Sequence, residues 1–560
     1  MTRPGNRFAL CAFLCVFLTT AAFVGGQSRG VKVISAADMK PHLQFLGSRE
    51  FRGRSAPSPE LNIASRYIAL AAQRIGLKPL MAGGSYYQEV PVEVTTISPA
   101  KSYFRILGGG GEQRFYFPQS FTANIRTGGE WAAAGEVVFA GSALGGAEPK
   151  WDDAPGIDLR GKFVLVLEIP SPAGTAQRTA QAGATLARTR ILREKGAIGL
   201  ITVISPDREN TLTQKGLAFD VTERPRFLDI ETANPLPPGG QPAAGPAAAS
   251  GQSAGTPLYS VEIRHEAGAA LLSLSRPELD RLFESIGRGQ TAAPKAIEGK
   301  SVDIALGFDR RRDSTPNVVA FLEGSDSRLK DEYVVIGSHH DHLPPREGRI
   351  FPGADDNASG AVAMLELGKA LMVERPRRSV IFVWHTAEEK GLIGAYYFVQ
   401  HCPVPVEKIS ANLNFDMITR NDPNGIYLIG SNKLSTELDK SIHEMSDRYA
   451  HLKLDYTYED PGHPDQFFFR SDQYPYIRYG IPGVWFFCGT TEDYHQEGDV
   501  EEKCDYGKME RVTKLVYATA VDIGNKPGLL KLDINPEITL RGKPNMKVVW
   551  RRPPQAQEKR

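Results

Sequence analysis

Five points in the second half of the sequence carry side chains of the type that bind metal: His339, Asp356, the pair Glu388-Glu389, Asp416 and His495. Imidazole nitrogen and carboxylate oxygen are donors that zinc accepts, and a catalytic zinc site keeps one position open for water. Two zinc ions about 3.5–4 Å apart need a carboxylate able to bridge them, and can then clamp a shared hydroxide and polarise a carbonyl. Adjacent glutamates diverge in direction. One of the pair can bind metal while the other takes a proton from water and returns it to a leaving amine. Asp341, two residues beyond His339, points to the same side of an extended chain and can accept from the other ring nitrogen of that histidine. Neighbours at a strand end point in different directions, so His340 and His342 are expected to be supporting or surface residues.

Each piece also has an ordinary reading. Asp355-Asp356-Asn357 suits a turn or helix cap, Glu388-Glu389 suits a helix start, and His495 alone suits packing. What sets them apart is position. Short apolar runs at 317–322, 333–337, 380–384, 411–415 and 483–487 read as strands, with amphipathic helices expected at 358–372 and 391–400. Such alternation implies a largely parallel sheet covered on both faces. Open sheets of this kind bind ligands beyond the carboxyl ends of their strands. His339, Glu388-Glu389, Asp416 and His495 each follow a run, and Asp356 precedes a helix, so all are expected at one sheet edge.

The strings Ser338-His339-His340-Asp341-His342-Leu343, Gly353-Ala354-Asp355-Asp356-Asn357-Ala358-Ser359-Gly360, Ala387-Glu388-Glu389-Lys390-Gly391-Leu392, Asn412-Leu413-Asn414-Phe415-Asp416 and Asp493-Tyr494-His495 resemble, in order and separation, the secreted di-zinc aminopeptidases. That family also includes glutamate carboxypeptidases. The resemblance covers about 36–126 and 313–523. It implies two Zn2+ per chain, His339 and Asp416 on one, Glu389 and His495 on the other, and Asp356 bridging, followed by a cis peptide bond. It also implies Glu388 as general base, with Asp341 and Tyr494 assisting, Tyr494 by steadying an oxyanion. The implied fold is α/β, a mostly parallel mixed sheet sandwiched by helices of zinc exopeptidase type, with an inserted protease-associated β-rich α/β domain. Peptides are the implied substrates, most directly those with a free N-terminus. A carboxypeptidase would need a pocket arginine, for which Arg420, Arg470 and Arg478 are candidates. A receptor-like binding protein would need none of these ligands, and a glutaminyl cyclase would use one zinc.

The remaining sequence frames this centre. Sixty-six basic residues face sixty-five acidic ones among 560, so no charge field points to nucleic acid. Arg3 and Arg7 precede an apolar run at 8–24, followed by Gly25-Gly26, the order of a signal peptide expected at 1–26. No other run is long enough to span a bilayer, so a secreted or periplasmic protein, monomer or homodimer, is expected with no stable membrane span after cleavage. Of five cysteines, Cys402, Cys488 and Cys504 lie outside that segment, and buried free thiols are the expectation for them. Ser58-Pro59 opens a helix with Leu61, Ala64, Ile68, Ala71 and Ile75 on one face, and Gly76 closes it. The expected divisions are a first peptidase part at 36–126, the insertion at 127–300, a catalytic part at 301–525 and a tail at 526–560. Within the insertion, 177–195 reads as a helix and 232–256, rich in Pro, Gly, Ala and Ser, as a loop.

Overall fold

A computed structural model describes residues 28–123, 130–142, 158–168, 189–221, 223–230, 258–288, 290, 294–535, 538–540, 543–546 and 548. The expected signal segment and the 232–256 loop lie outside these residues, as does most of the expected 177–195 helix.

Ten strands form the larger sheet among the described residues. From one edge they run Lys453–Asp455, Gly425–Ile429, Gly483–Phe487, Ile409–Phe415, Tyr333–His339, Ser379–His385, Phe308–Leu322, Tyr87–Ile97 and Glu223–Phe227, with Lys78–Pro79 also on Phe308–Leu322. Four neighbours at the centre, from Gly483–Phe487 to Ser379–His385, are mutually parallel, and antiparallel pairs flank them. Every residue of the central runs Ser379–His385 and Ile409–Phe415 is buried; Val380 to Trp384 accordingly read as continuously apolar, whereas Ser410, Asn412 and Asn414 interrupt the second run.

Helices cover both faces. Ala36–Leu46, Pro59–Ile75, Gly360–Val373 and Tyr506–Asn525 pack together on one, and Ile393–Gln400 with Gln473–Arg478 on the other. Pro59–Ile75 starts as its sequence dictates: the Ser58 side chain accepts from Leu61 N–H at 3.1 Å, and Gly76 ends it at φ +100°. Gly360–Val373 differs from the amphipathic expectation. It is buried from Gly360 through Gly368 without a break, because the sheet lies on one side and three helices on the other.

Among the described residues the second sheet has eight strands, in the order Gly111–Tyr116, Tyr103–Gly108, Lys295–Leu306, Trp131–Ser142, Phe163–Leu167, Gly199–Val203, Tyr259–Ile263 and Phe121–Ala123. It has its own core, with Phe104, Phe121, Phe163, Val203 and Leu271 fully enclosed. Strand pairing here departs from the boundary expected at 127. Strands from Tyr103 to Ala123 belong to the smaller sheet, since Phe104, Ile106, Phe115 and Phe121 bury in its core. Glu223–Phe227, expected inside the insertion, pairs instead with Tyr87–Ile97 of the larger sheet. No helix among the described residues is long and apolar enough to cross a membrane. Cys402, Cys488 and Cys504 are all free thiols, the last two buried.

Candidate metal centre

The carboxyl ends of the four parallel strands deliver the candidate residues. His339 is the last residue of its strand, Asp416 immediately follows Ile409–Phe415, and Glu388-Glu389 turn out of Ser379–His385 through Ala387 at φ +52°. His495, at φ +58°, is presented by the loop after Gly483–Phe487. Asp356 sits in an irregular turn, Ala354–Ser359, ahead of the buried helix, and the Asp356–Asn357 peptide bond is cis as the resemblance implies.

These side chains meet. His339 Nε2 lies 3.4 Å from Asp356 Oδ1 and 3.4 Å from Asp416 Oδ1. His495 Nε2 lies 3.2 Å from the other Asp356 oxygen, Oδ2, and 3.3 Å from Glu389 Oε1. Asp356 therefore faces both groups, one oxygen to each. The donor atoms of His339, Asp356 and Asp416 can hold one cation, and those of Asp356, Glu389, His495 and His342 another. Glu388 stands beside them, with Oε2 at 3.9 Å from His339 Nε2.

The electrostatics favour cations here. Asp356, Glu388 and Asp416 are buried at 3 %, 8 % and 4 % exposure, and such carboxylates need compensating positive charge. Burial raises the Glu388 carboxyl well above its ordinary value; His339 opposes this, and the nearby Glu389 and Asp416 reinforce it. Burial likewise lifts Asp416, to about 6. Burial pulls the His339 imidazolium down, but Glu388, Asp416 and Asp356 outweigh it and leave its pKa well above normal. His495 is raised in the same way, chiefly by Glu389 against the effect of burial.

Hydrogen bonds fix the loops. Asn357 donates from Nδ2 to the Phe415 carbonyl at 2.9 Å and to Ser338 Oγ at 3.1 Å, tying the Asp356 turn to the strands of His339 and Asp416. Asp499 accepts from the N–H groups of Asp355 and Asp356, each at 3.0 Å. Asp355 faces away from the centre, accepting from Thr419 N–H at 2.8 Å and Oγ1 at 2.7 Å. Ser471 Oγ donates to Asp416 Oδ2 at 2.6 Å. Tyr494 stacks on His495 with ring centres 3.8 Å apart and accepts from Arg470 Nη2 at 2.9 Å.

Two details differ from expectation. The main-chain carbonyl of Asp341, at 3.1 Å, accepts from His339 Nδ1, while its carboxylate is 3.8 Å away. That carboxylate accepts instead from Glu388 N–H at 3.0 Å, so Asp341 positions the glutamate turn. His342 is neither a surface nor a merely adjacent residue, because its Nδ1 lies 2.9 Å from Glu389 Oε1. The strand stops at His339, and beyond it the alternation of side chains no longer applies. His340 is a buried support, bonded to Ser65 Oγ and to the His385 carbonyl, both at 2.7 Å.

Arg54 carried no signal of its own in the sequence. It is 1 % exposed and donates to four main-chain carbonyls: Leu46 at 2.6 Å, Pro352 at 2.7 Å, Gly353 at 2.9 Å and His340 at 3.1 Å. It thus clamps a helix end to the two segments that carry His339 and Asp356. Gly53, at φ +87°, allows the approach; a Cβ there would lie 1.9 Å from the Leu343 carbonyl oxygen. Beside the centre, Met417, Phe467, Trp485 and Phe487 form an apolar wall, with Arg470 and Tyr494 at its rim. Of the arginines weighed for carboxylate recognition, Arg420 is bonded to Asp493 at 2.7 Å, and Arg470 lines the pocket.

Residues 317–520 match peptidase family M28. That stretch is similar to the family and makes up less than half of the chain. Among curated relatives, it is 27 % identical over 265 residues to leucine aminopeptidase 2 of Arthroderma otae, covering 41 % of this chain and 50 % of the relative. It is 33 % identical over 206 residues to probable leucine aminopeptidase 2 of Aspergillus oryzae, covering 35 % and 38 %. The chain thus spans about half or less of the length of these relatives. Among solved structures, a zinc aminopeptidase from Bacillus subtilis superimposes with a TM-score of 0.51 at 18 % identity, covering 90 % of this chain and 99 % of that one. The chain shares the zinc exopeptidase fold of that structure.

Proposed function

We propose that the chain is a zinc-dependent aminopeptidase that binds two zinc ions and hydrolyses the first peptide bond of peptides with a free N-terminus. The observation that carries this reading is the division of Asp356 between two donor groups, one oxygen toward each, with Glu388 beside them. The donor set fits zinc: imidazoles and carboxylates only, buried except for the half-buried Glu389 and His495. His339, Asp356 and Asp416 would hold one ion, and Asp356, Glu389 and His495 the other. When bound, the ions would acidify water and polarise the scissile carbonyl.

The remaining roles belong to the protein. Glu388, its carboxyl raised by burial, accepts the proton of the attacking water and passes it to the leaving amine. Asp341 holds the turn that aims it, through the Glu388 N–H. Tyr494 donates its hydroxyl hydrogen to the developing oxyanion, because its oxygen already accepts from Arg470. A protonated N-terminus is drawn to the acidic cluster, and the apolar wall of Met417, Phe467, Trp485 and Phe487 suits a bulky apolar side chain on the first residue. Secretion or a periplasmic location accords with the N-terminal apolar run, and the eight-stranded unit is read as the protease-associated insertion.

The test is hydrolysis by zinc-loaded protein of leucine, phenylalanine, lysine and aspartate anilides, each with a free or acetylated amine. The reading expects leucine and phenylalanine to lead and acetylation to stop turnover. Release of the C-terminal residue from acetylated dipeptides with a free carboxylate, assayed beside the anilides, would move the chain to the carboxypeptidase class.

A further inference from the structure

His342 is fully buried, and neither of its ring nitrogens has a hydrogen-bond partner. Such an orphaned imidazole is costly unless something satisfies it. Its Nδ1 lies 2.9 Å from Glu389 Oε1 and 3.8 Å from Asp356 Oδ2. A hydrogen bond would be usual at the shorter distance, yet Glu389 Oε1 is also without a partner, so the two atoms crowd one another without being aimed at one another. Lone pairs converging on a shared point between them have this arrangement. His495 Nε2 approaches the same two oxygens, at 3.2 and 3.3 Å. Four donors set tetrahedrally at about 2.0–2.1 Å from zinc stand about 3.3–3.4 Å apart. The separations here, from 2.9 to 3.8 Å, bracket that value. Gly353 makes the room, since a Cβ on it would fall 2.6 Å from the His342 ring.

We propose that His342 Nδ1 is itself a zinc ligand, which makes the two metal positions unequal. One position has four protein donors, from His342, Asp356, Glu389 and His495. The other has three, from His339, Asp356 and Asp416, and leaves a place for water. The four-donor position is the tighter one, retained when a chelator strips the other. This rests on the two-zinc reading above.

The experiment is a competitive chelator titration of the full chain, with cadmium NMR of the two-metal form, on wild type, His342→Ala and His342→Asn. Zinc-free samples are compared first by circular dichroism. If alanine does not fold, asparagine carries the test, since its amide oxygen stands near the lost Nδ1 as a weaker donor. Wild type should bind two zinc ions with separable affinities. His342→Ala should weaken the tighter one beyond the roughly 10–100-fold that loss of an outer hydrogen-bonding partner costs. One of the two cadmium resonances should move, and asparagine should fall between alanine and wild type. Two zinc ions held by His342→Ala as tightly as by wild type, with both resonances unmoved, would overturn the ligand role alone. For the asparagine variant, unchanged affinity together with unmoved resonances would do the same. A wild-type chain that binds no zinc would overturn the two-zinc reading and this ligand with it.

Discussion

Replacing Arg54 by methionine isolates the clamp that holds the centre in shape. The substitution keeps most of the side-chain volume but removes donors from four buried carbonyls, those of Leu46, His340, Pro352 and Gly353. A buried acceptor left unpaired costs about 1–3 kcal/mol, so even the lower figure at all four gives about 4 kcal/mol. Removing a guanidinium whose pKa burial pulls down to about 10 returns some of its desolvation, but Asp341, Asp499 and Asp356 lose a counter-charge at the same time. At about 2–4 °C per kcal/mol for a domain of this size, the zinc-free protein should melt about 8–16 °C lower. Lysine in the same place keeps the charge without the planar fork, and should recover part of the loss. The assay is thermal unfolding of zinc-free wild type and both variants, followed by zinc titration, where the methionine variant should also bind more weakly. A methionine variant melting within about 2 °C of wild type would refute the argument that the four bonds hold these segments together.

Glu388→Gln should keep both zinc ions and lose about 10²–10⁴-fold in turnover, read from metal content and kcat on the same sample. Asp356→Ala should lose zinc and activity together, since one residue faces both positions. Because Glu388 works ionised, kcat/KM should fall on the acid side as it takes up a proton; burial raises its pKa in the zinc-free chain and bound zinc would oppose that shift, so the midpoint should move with the metal, read from pH profiles of the zinc-loaded enzyme. Tyr494→Phe should lower kcat by about 10²-fold with little change in zinc affinity, measured by steady-state kinetics beside chelator titration.

The sheet edge was legible because His339, Glu388-Glu389, Asp416 and His495 each follow a strand-like run, and Asp356 precedes a helix. Wholly buried segments such as Ser379–His385 announce themselves as unbroken apolar stretches. What surrounds that edge was less visible. Arg54 and Asp499 do their work through main-chain groups far along the chain, and nothing local distinguishes a buried arginine in Arg52-Gly53-Arg54 from a solvated one. His342 was read as a supporting or surface residue by an alternation rule that holds only inside a strand, and the strand ends at His339. Asp341 was placed on the correct side, but its carbonyl, not its carboxylate, meets His339. The strands between Tyr103 and Ala123 were assigned with their neighbours in sequence, whereas the phenylalanines they carry belong to the other core.

Anomalous diffraction at the zinc edge, from crystals of the zinc-loaded chain, tests the central claim most directly. Two peaks about 3.5–4 Å apart are expected, one enclosed by His339, Asp356 and Asp416 and the other by His342, Asp356, Glu389 and His495, with Asp356 between them. No peak in this cleft, or a single one away from Asp356, would contradict it.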